Sequence, residues 1–138
     1  MILDTSVVVA IVLGEPGFEV FVDAIASATS CRISAASFVE ASIIAESRIG
    51  DQGIRQCDSL FRSSGVFVEP VTQEQALFAR QAYSDYGKGR HPAGLNFGDC
   101  FSYALAKATD EPLLFKGEDF RQTDIQPALP KSPPQNRT

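Results

Sequence analysis

Apolar residues fall in short blocks, each ended by a turn signal. Met1 to Asp4 opens as an apolar strand that stops on an acid. Ser6 to Leu13 is apolar at nearly every position until Gly14-Glu15-Pro16-Gly17 halts it. The run predicts a short helix that must be covered on every side, by its own domain or by a partner. Phe18 to Ala26 predicts a second helix and Ser30 to Ser34 a strand. Ser37 is placed to cap a third helix through about Ile49, which Gly50-Asp51-Gln52-Gly53 breaks. Ile54 to Ser63 predicts a fourth helix, with Ile54, Cys57, Leu60 and Phe61 as its apolar stripe.

Val66 to Glu69 predicts another strand, ended by Pro70, and Thr72-Gln73-Glu74-Gln75 is a capping box opening a helix through about Tyr86. The glycines and proline of Gly87 to Gly94 predict a loop. Phe97, Cys100, Phe101, Ala104, Leu105 and Ala108 then recur at the spacing of one helical face. Leu113 to Phe115 predicts a last strand, and Lys116 to Phe120 turns out of it. From Gln126 the chain is Pro-rich and polar, so residues 1–125 are expected to form the domain and 126–138 a disordered tail.

Strands separated by helices imply parallel pairing. The expected class is therefore α/β, with a central, mainly parallel sheet. In such sheets ligands collect beyond the carboxyl ends of the strands. Four acids fall at predicted strand ends or helix starts: Asp4 after the first strand, Glu40 in the first turn of the third helix, Asp99 in the first turn of the long helix, and Asp119 after the last strand. Each has an ordinary explanation alone, because helix starts and turns favour carboxylates. Asp4 is the sharpest, since an apolar strand and helix surround it and a bare buried carboxylate is costly unless paired or metal-bound.

Such a set, with no histidine or cysteine partner, suits hard cations, which take oxygen ligands. One or two such ions can orient a water and steady the leaving oxygen of a phosphodiester.

The 138 residues suffice for one domain with a core, and no apolar run approaches the length of a membrane span. The N-terminus lacks the pattern of a signal peptide, which places the expected site of action in the cytoplasm. Cys31, Cys57 and Cys100 have neither metal-site nor disulfide spacing and read as inert thiols. A net charge of −5 argues against passive nucleic-acid binding through a broad basic face. It leaves metal-assisted cleavage open, because bound divalent ions would supply positive charge where a phosphate must sit.

Ile2-Leu3-Asp4-Thr5-Ser6 resembles the first motif of PIN-domain nucleases, and Ser37-Phe38-Val39-Glu40 the second. Leu95 to Ala106, through Asn96-Phe97-Gly98-Asp99, is very like the third motif in VapC-type toxins of bacterial toxin–antitoxin pairs. Leu113 to Phe120, with Thr123-Asp124-Ile125, resembles the closing segment.

The resemblance implies a three-layer fold with four to five strands flanked by helices. It implies an endoribonuclease whose Asp4, Glu40, Asp99 and Asp119 surround Mg²⁺ or Mn²⁺, with Ser6 and Asn96 in support. It also implies a cognate antitoxin and a homodimer. Lys88 and Arg90, the only full charges of the 87–94 loop, are candidate RNA contacts.

Glu118 departs from the family pattern, which often has Asn or Asp there. The alternatives are an inactive PIN-fold binding module, or an acidic phosphatase or receiver domain. The dehalogenase-type Asp-x-Asp is broken by Ser6, and no mid-chain strand ends in the Asp a receiver needs.

Overall fold

A computed structural model of the chain describes residues 1–131. The sheet has four strands, all parallel, in the order β3-β2-β1-β4. They are β1 (Ile2–Leu3), β2 (Arg32–Ser34), β3 (Phe67–Glu69) and β4 (Leu113–Leu114). Between β1 and β2 lie α1 (Thr5–Val12) and α2 (Glu19–Ser27). Next come α3 (Ala35–Ile49) and α4 (Asp51–Ser63), then α5 (Gln73–Tyr86) and α6 (Phe97–Thr109) ahead of β4. A 3₁₀ turn, Asp119–Gln122, follows β4.

Successive strand residues point to opposite faces, and the two-residue β1 shows the consequence. Ile2 joins a core with α5 and α6, whereas Leu3 joins one with α1 to α4. These are the three layers. The chain leaves β1 toward β2 and β3 and returns to the other side of β1 as β4. The β1–β4 boundary is thus a topological switch point, where a parallel sheet opens a crevice.

Several expectations change in detail. The third helix begins at Ala35 and not after Ser37: Ser34 is extended and its hydroxyl caps the Ala36 N–H at 3.3 Å. Ala35 and Ala36 are strong helix formers and extend the first turn backward. Glu40 therefore sits in the second turn. At Thr72 only half of the capping box forms. Its hydroxyl accepts from the Gln75 N–H at 3.1 Å, but the Gln75 side chain donates to the Pro70 carbonyl instead.

The exposed face of α6 includes Phe97, which is 78% exposed; burial falls on Cys100, Tyr103, Ala104, Leu105 and Ala106. Phe97 is the first residue of the helix and turns away from the core, which Cys100 already joins within the same turn. Helix α1 is covered mainly from within. Val7, Val8, Ala10 and Val12 are buried, and Val9, Ile11 and Leu13 pack partly buried on the same core. Because β1 is a central strand, α1 lies over the middle of the sheet and its composition needs no partner.

Gln126 to Pro130, which composition assigns to a tail, run along the β4 edge. The Leu113 N–H donates to the Gln126 carbonyl at 2.9 Å, and the Ala128 N–H to the Leu113 carbonyl at 2.8 Å. Arg121 donates to the carbonyls of Leu129 and Pro130. The remainder of the expected tail, 132–138, lies outside the described residues. No helix among the described residues is long and apolar enough to cross a membrane.

Helices α3 and α4 approach closely at Gly53, where a Cβ would overlap the Ala45 backbone. Backbone cannot swing aside as a side-chain tip can. Gly53→Ala is therefore expected to lower stability by about 1–3 kcal/mol despite alanine's better helix propensity, read as a drop in the urea midpoint. An unchanged midpoint would show that the crossing relaxes freely.

Candidate active site

Asp4 leaves β1 in an extended conformation and its side chain caps α1. Its Oδ2 accepts from the Ser6 N–H at 3.1 Å and from the Ser6 hydroxyl at 2.6 Å. Its Oδ1 accepts from the Ser102 hydroxyl at 2.5 Å. Ser102 Oγ also lies 3.1 Å from Ser37 Oγ, and the Thr5 hydroxyl reaches the Ser37 carbonyl at 3.4 Å. Asp4 is only 3% exposed. Its carboxylate is thus buried yet supplied with donors, in a pocket of hydroxyls and not the apolar surroundings its flanks suggest. Ser6 Oγ in turn accepts from the Lys116 N–H at 3.0 Å, which ties the end of β1 to the exit from β4.

Asp99 is the third residue of α6 and forms a full capping box with Asn96. Its N–H donates to Asn96 Oδ1 at 2.9 Å, and its Oδ2 accepts from the Asn96 N–H at 3.0 Å. Burial pushes its pKa up to about 6 against the restraining backbone hydrogen bond of Asn96, and the negative charges of Asp4, Asp119 and Glu40 push the same way. The other three acids singled out in the sequence thus lie near enough to act on Asp99, though burial is the larger cause.

Glu40 is half-buried on α3, and its carboxylate lies against Gly98 so closely that a Cβ there would overlap it. Asp119 is exposed at the start of the 3₁₀ turn. The neighbouring Glu118 faces Arg121 at 3.6 Å. Among the described residues, no three His, Cys, Asp or Glu side chains already form a set that could hold a metal ion. Asp4 and Asp99 are instead turned to their hydrogen-bond donors.

The three cysteines are free and buried. Burial, then the charge of Asp99, pushes Cys100 up to about 11, so it stays a thiol and offers no nucleophile at neutral pH. Nδ1 of His91, the chain's one histidine, accepts from the Ala93 N–H at 3.0 Å within its own loop. Lys88 and Arg90 are exposed in that loop.

Sequence reasoning missed Ser37, Ser102 and Thr5. A signal existed: Ser37 is three residues before Glu40, and Ser102 three after Asp99, each polar in an otherwise apolar stretch. Residues three apart on a helix are neighbours.

A three-layer parallel α/β domain with a buried, hydroxyl-bound aspartate at its switch point has a family. The PIN domain family matches residues 1–126, and the chain belongs to it. Among curated proteins it is 50% identical over 125 residues to Ribonuclease VapC of Mycolicibacterium smegmatis, spanning 91% of this chain and 97% of that one. It is 49% identical over 130 residues to Ribonuclease VapC28 of Mycobacterium tuberculosis, spanning 94% and 98%.

The fold also matches the crystal structure of M. tuberculosis VapC20, described as a sarcin-ricin loop cleaving toxin. There the TM-score is 0.74 at 18% identity, over 90% of this chain and 95% of that one. A toxin–antitoxin complex from Klebsiella pneumoniae matches with a TM-score of 0.63 at 17% identity, over 86% and 88%.

Proposed function

We propose that the protein is a divalent-metal-dependent endoribonuclease, acting in the cytoplasm as the toxin of a toxin–antitoxin pair. The observation that carries this reading is Asp4, buried at the end of β1 beside the β1–β4 boundary with both oxygens held by hydroxyls, and Asp99 bearing the charges of Asp4, Asp119 and Glu40 supports it. The names of the half-identical relatives support RNA as the substrate. A cognate antitoxin is the expected restraint, and a second copy of the chain the expected assembly.

The donor set fits a hard cation. Every candidate ligand is a carboxylate oxygen; the pKa of Asp99 is raised first by burial and then by neighbouring negative charge, and a cation would favour its ionised form against both. Asp4, Glu40, Asp99 and Asp119 would hold Mg²⁺ or Mn²⁺, which when bound supplies a water acidic enough to attack phosphorus and charge to steady the leaving oxygen.

The rest belongs to the chain. Ser6 and Ser102 fix both oxygens of Asp4, so the carboxylate is oriented before substrate arrives. Asn96 anchors Asp99 at the start of α6. Glu40 lies against the α6 backbone at Gly98. Such fixed placement lowers the reorganisation that the transition state requires.

Purified protein is expected to cut RNA with Mg²⁺ or Mn²⁺ and to stop in excess EDTA; cleavage that survives EDTA would sink the metal mechanism. A second variant tests Glu40. Gly98→Ala places a methyl where its carboxylate lies, and a flexible side-chain tip moves cheaply. Stability should be unchanged or slightly higher, by up to about 1 kcal/mol from helix propensity. Cleavage should fall roughly tenfold or more as Glu40 is displaced, given that a misplaced active-site group costs up to about 10²-fold. Full cleavage by Gly98→Ala would remove Glu40 from the site.

A further inference from the structure

Between α5 and the start of α6 lies a cavity of about 550 Å³ that reaches Asn96, the residue that caps Asp99. Its walls include Arg80, Tyr83, Lys88, Asn96, Phe97 and Phe101. We infer that it is a stacking subsite for one unpaired base of the RNA next to the cleaved bond, an assignment that rests on the ribonuclease reading.

The surface is aromatic where a base would lie. Phe97 is 78% exposed, an unusual cost for a phenylalanine, and meets Phe101 edge-on with ring centroids 4.9 Å apart. The rim is cationic. The Arg90 guanidinium stands 5.5 Å from the centre of the Tyr83 ring, and Arg80 and Lys88 line the cavity. None of these three cations has an ion-pair partner among the described residues.

A purely apolar occupant would leave those charges unanswered. A nucleotide answers both features, with its base on the rings and its phosphates among the cations. The cavity also adjoins the chemistry: Asn96 lines it and holds Asp99 through the capping box. A base seated on Phe97 would therefore deliver its own phosphodiester toward the acids. Anchoring at this point also addresses the net charge of −5, which otherwise repels RNA.

The test uses the full chain and short single-stranded adenosine and uridine oligoribonucleotides carrying 2-aminopurine. Binding is read in Ca²⁺ and again in EDTA, so that it is separated from cleavage. Wild type should bind and quench the fluorophore. Phe97→Ala should weaken binding roughly 5- to 100-fold, as expected for one lost base–aromatic stack, and abolish quenching, while Phe97→Trp restores both. The exposure of Phe97 means these variants keep their fold. Arg80→Ala and Lys88→Ala should each lower the salt slope by about one while quenching at saturation persists.

Unchanged affinity in Phe97→Ala overturns the inference, as does an absence of quenching by wild type. So does a dimer that becomes monomeric in Phe97→Ala with RNA affinity and quenching intact, since a second copy would then fill the cavity. If no RNA is cut with Mg²⁺ or Mn²⁺ but Phe97-dependent binding remains, the ribonuclease reading fails and the stacking subsite stands.

Discussion

Asp99→Asn is expected to abolish RNA cleavage and, in metal-free buffer, to make the protein more stable. The two effects have one cause. Burial and the charges of Asp4, Asp119 and Glu40 hold the Asp99 pKa at about 6 against an ordinary 3.8, so its ionised form is unfavourable in the folded protein. An amide keeps the shape and can still accept from the Asn96 N–H while removing the charge. The gain at pH 7 should be roughly 1 kcal/mol, less than the full shift implies because a half-exposed carboxylate is screened by solvent.

The pH dependence has a defined sign. With its folded pKa raised, Asp99 contributes stability that is complete below 3.8 and is lost as pH rises through about 6. Thermal melts of the wild type and Asp99→Asn should therefore differ most above pH 6 and converge toward pH 4. Cleavage should fall by about 10²–10³-fold or more, the scale seen when a preorganised charge-stabilising group is removed. Asp4→Asn should lose activity likewise. Mg²⁺ affinity of the wild type, measured by calorimetry, should weaken as pH falls through about 6, when Asp99 takes a proton. Full activity in Asp99→Asn would refute the site, and a destabilised variant would refute the electrostatic account of it.

Much of this arrangement was legible in the sequence because it is written in local signals. Alternating apolar blocks and turn residues mark all four strands, and Asp4 and Asp119 follow β1 and β4 along the chain. The motif around Asn96 and Asp99 reads as both a helix start and a family signature, and the structure makes it a full capping box.

The errors arose where an outcome depends on what lies across space. Phe97 fits the helical period of α6, but as the helix's first residue it stands 78% exposed, so periodicity misplaced it. Whether helix α1 is covered by its own domain or by a partner stayed open because its sequence does not say that β1 is central. Asp4 appeared to have apolar surroundings because one of its donors, Ser102, comes from 98 residues away, and only Ser6 stands beside it in the chain. Ser37 was read as a cap because its hydroxyl suits one. Its actual partner is Ser102, on another helix.

That long-range contact yields the second large effect. Ser102→Ala removes the only donor to Asp4 Oδ1 among the described residues and leaves a buried acceptor unpaired. The expected loss is about 1–3 kcal/mol, or roughly 3–10 °C in Tm. Cleavage should fall as well, because a half-anchored Asp4 can turn from the geometry that Ser6 alone no longer imposes. A general packing defect could produce the first result, but it would not depend on the charge of Asp4.

The double mutant separates the two accounts. In the Asp4→Asn background the carboxamide demands less of Ser102, and the hydroxyl can turn to Ser37 at 3.1 Å. Ser102→Ala should then cost less than in the wild type, with an interaction energy of about 0.5–3 kcal/mol. Weakened Mg²⁺ binding by the single variant Ser102→Ala, at a temperature where it is fully folded, would place the effect on Asp4's geometry. Equal stability losses in the two backgrounds, with Mg²⁺ affinity unchanged, would reduce Ser102 to a packing residue.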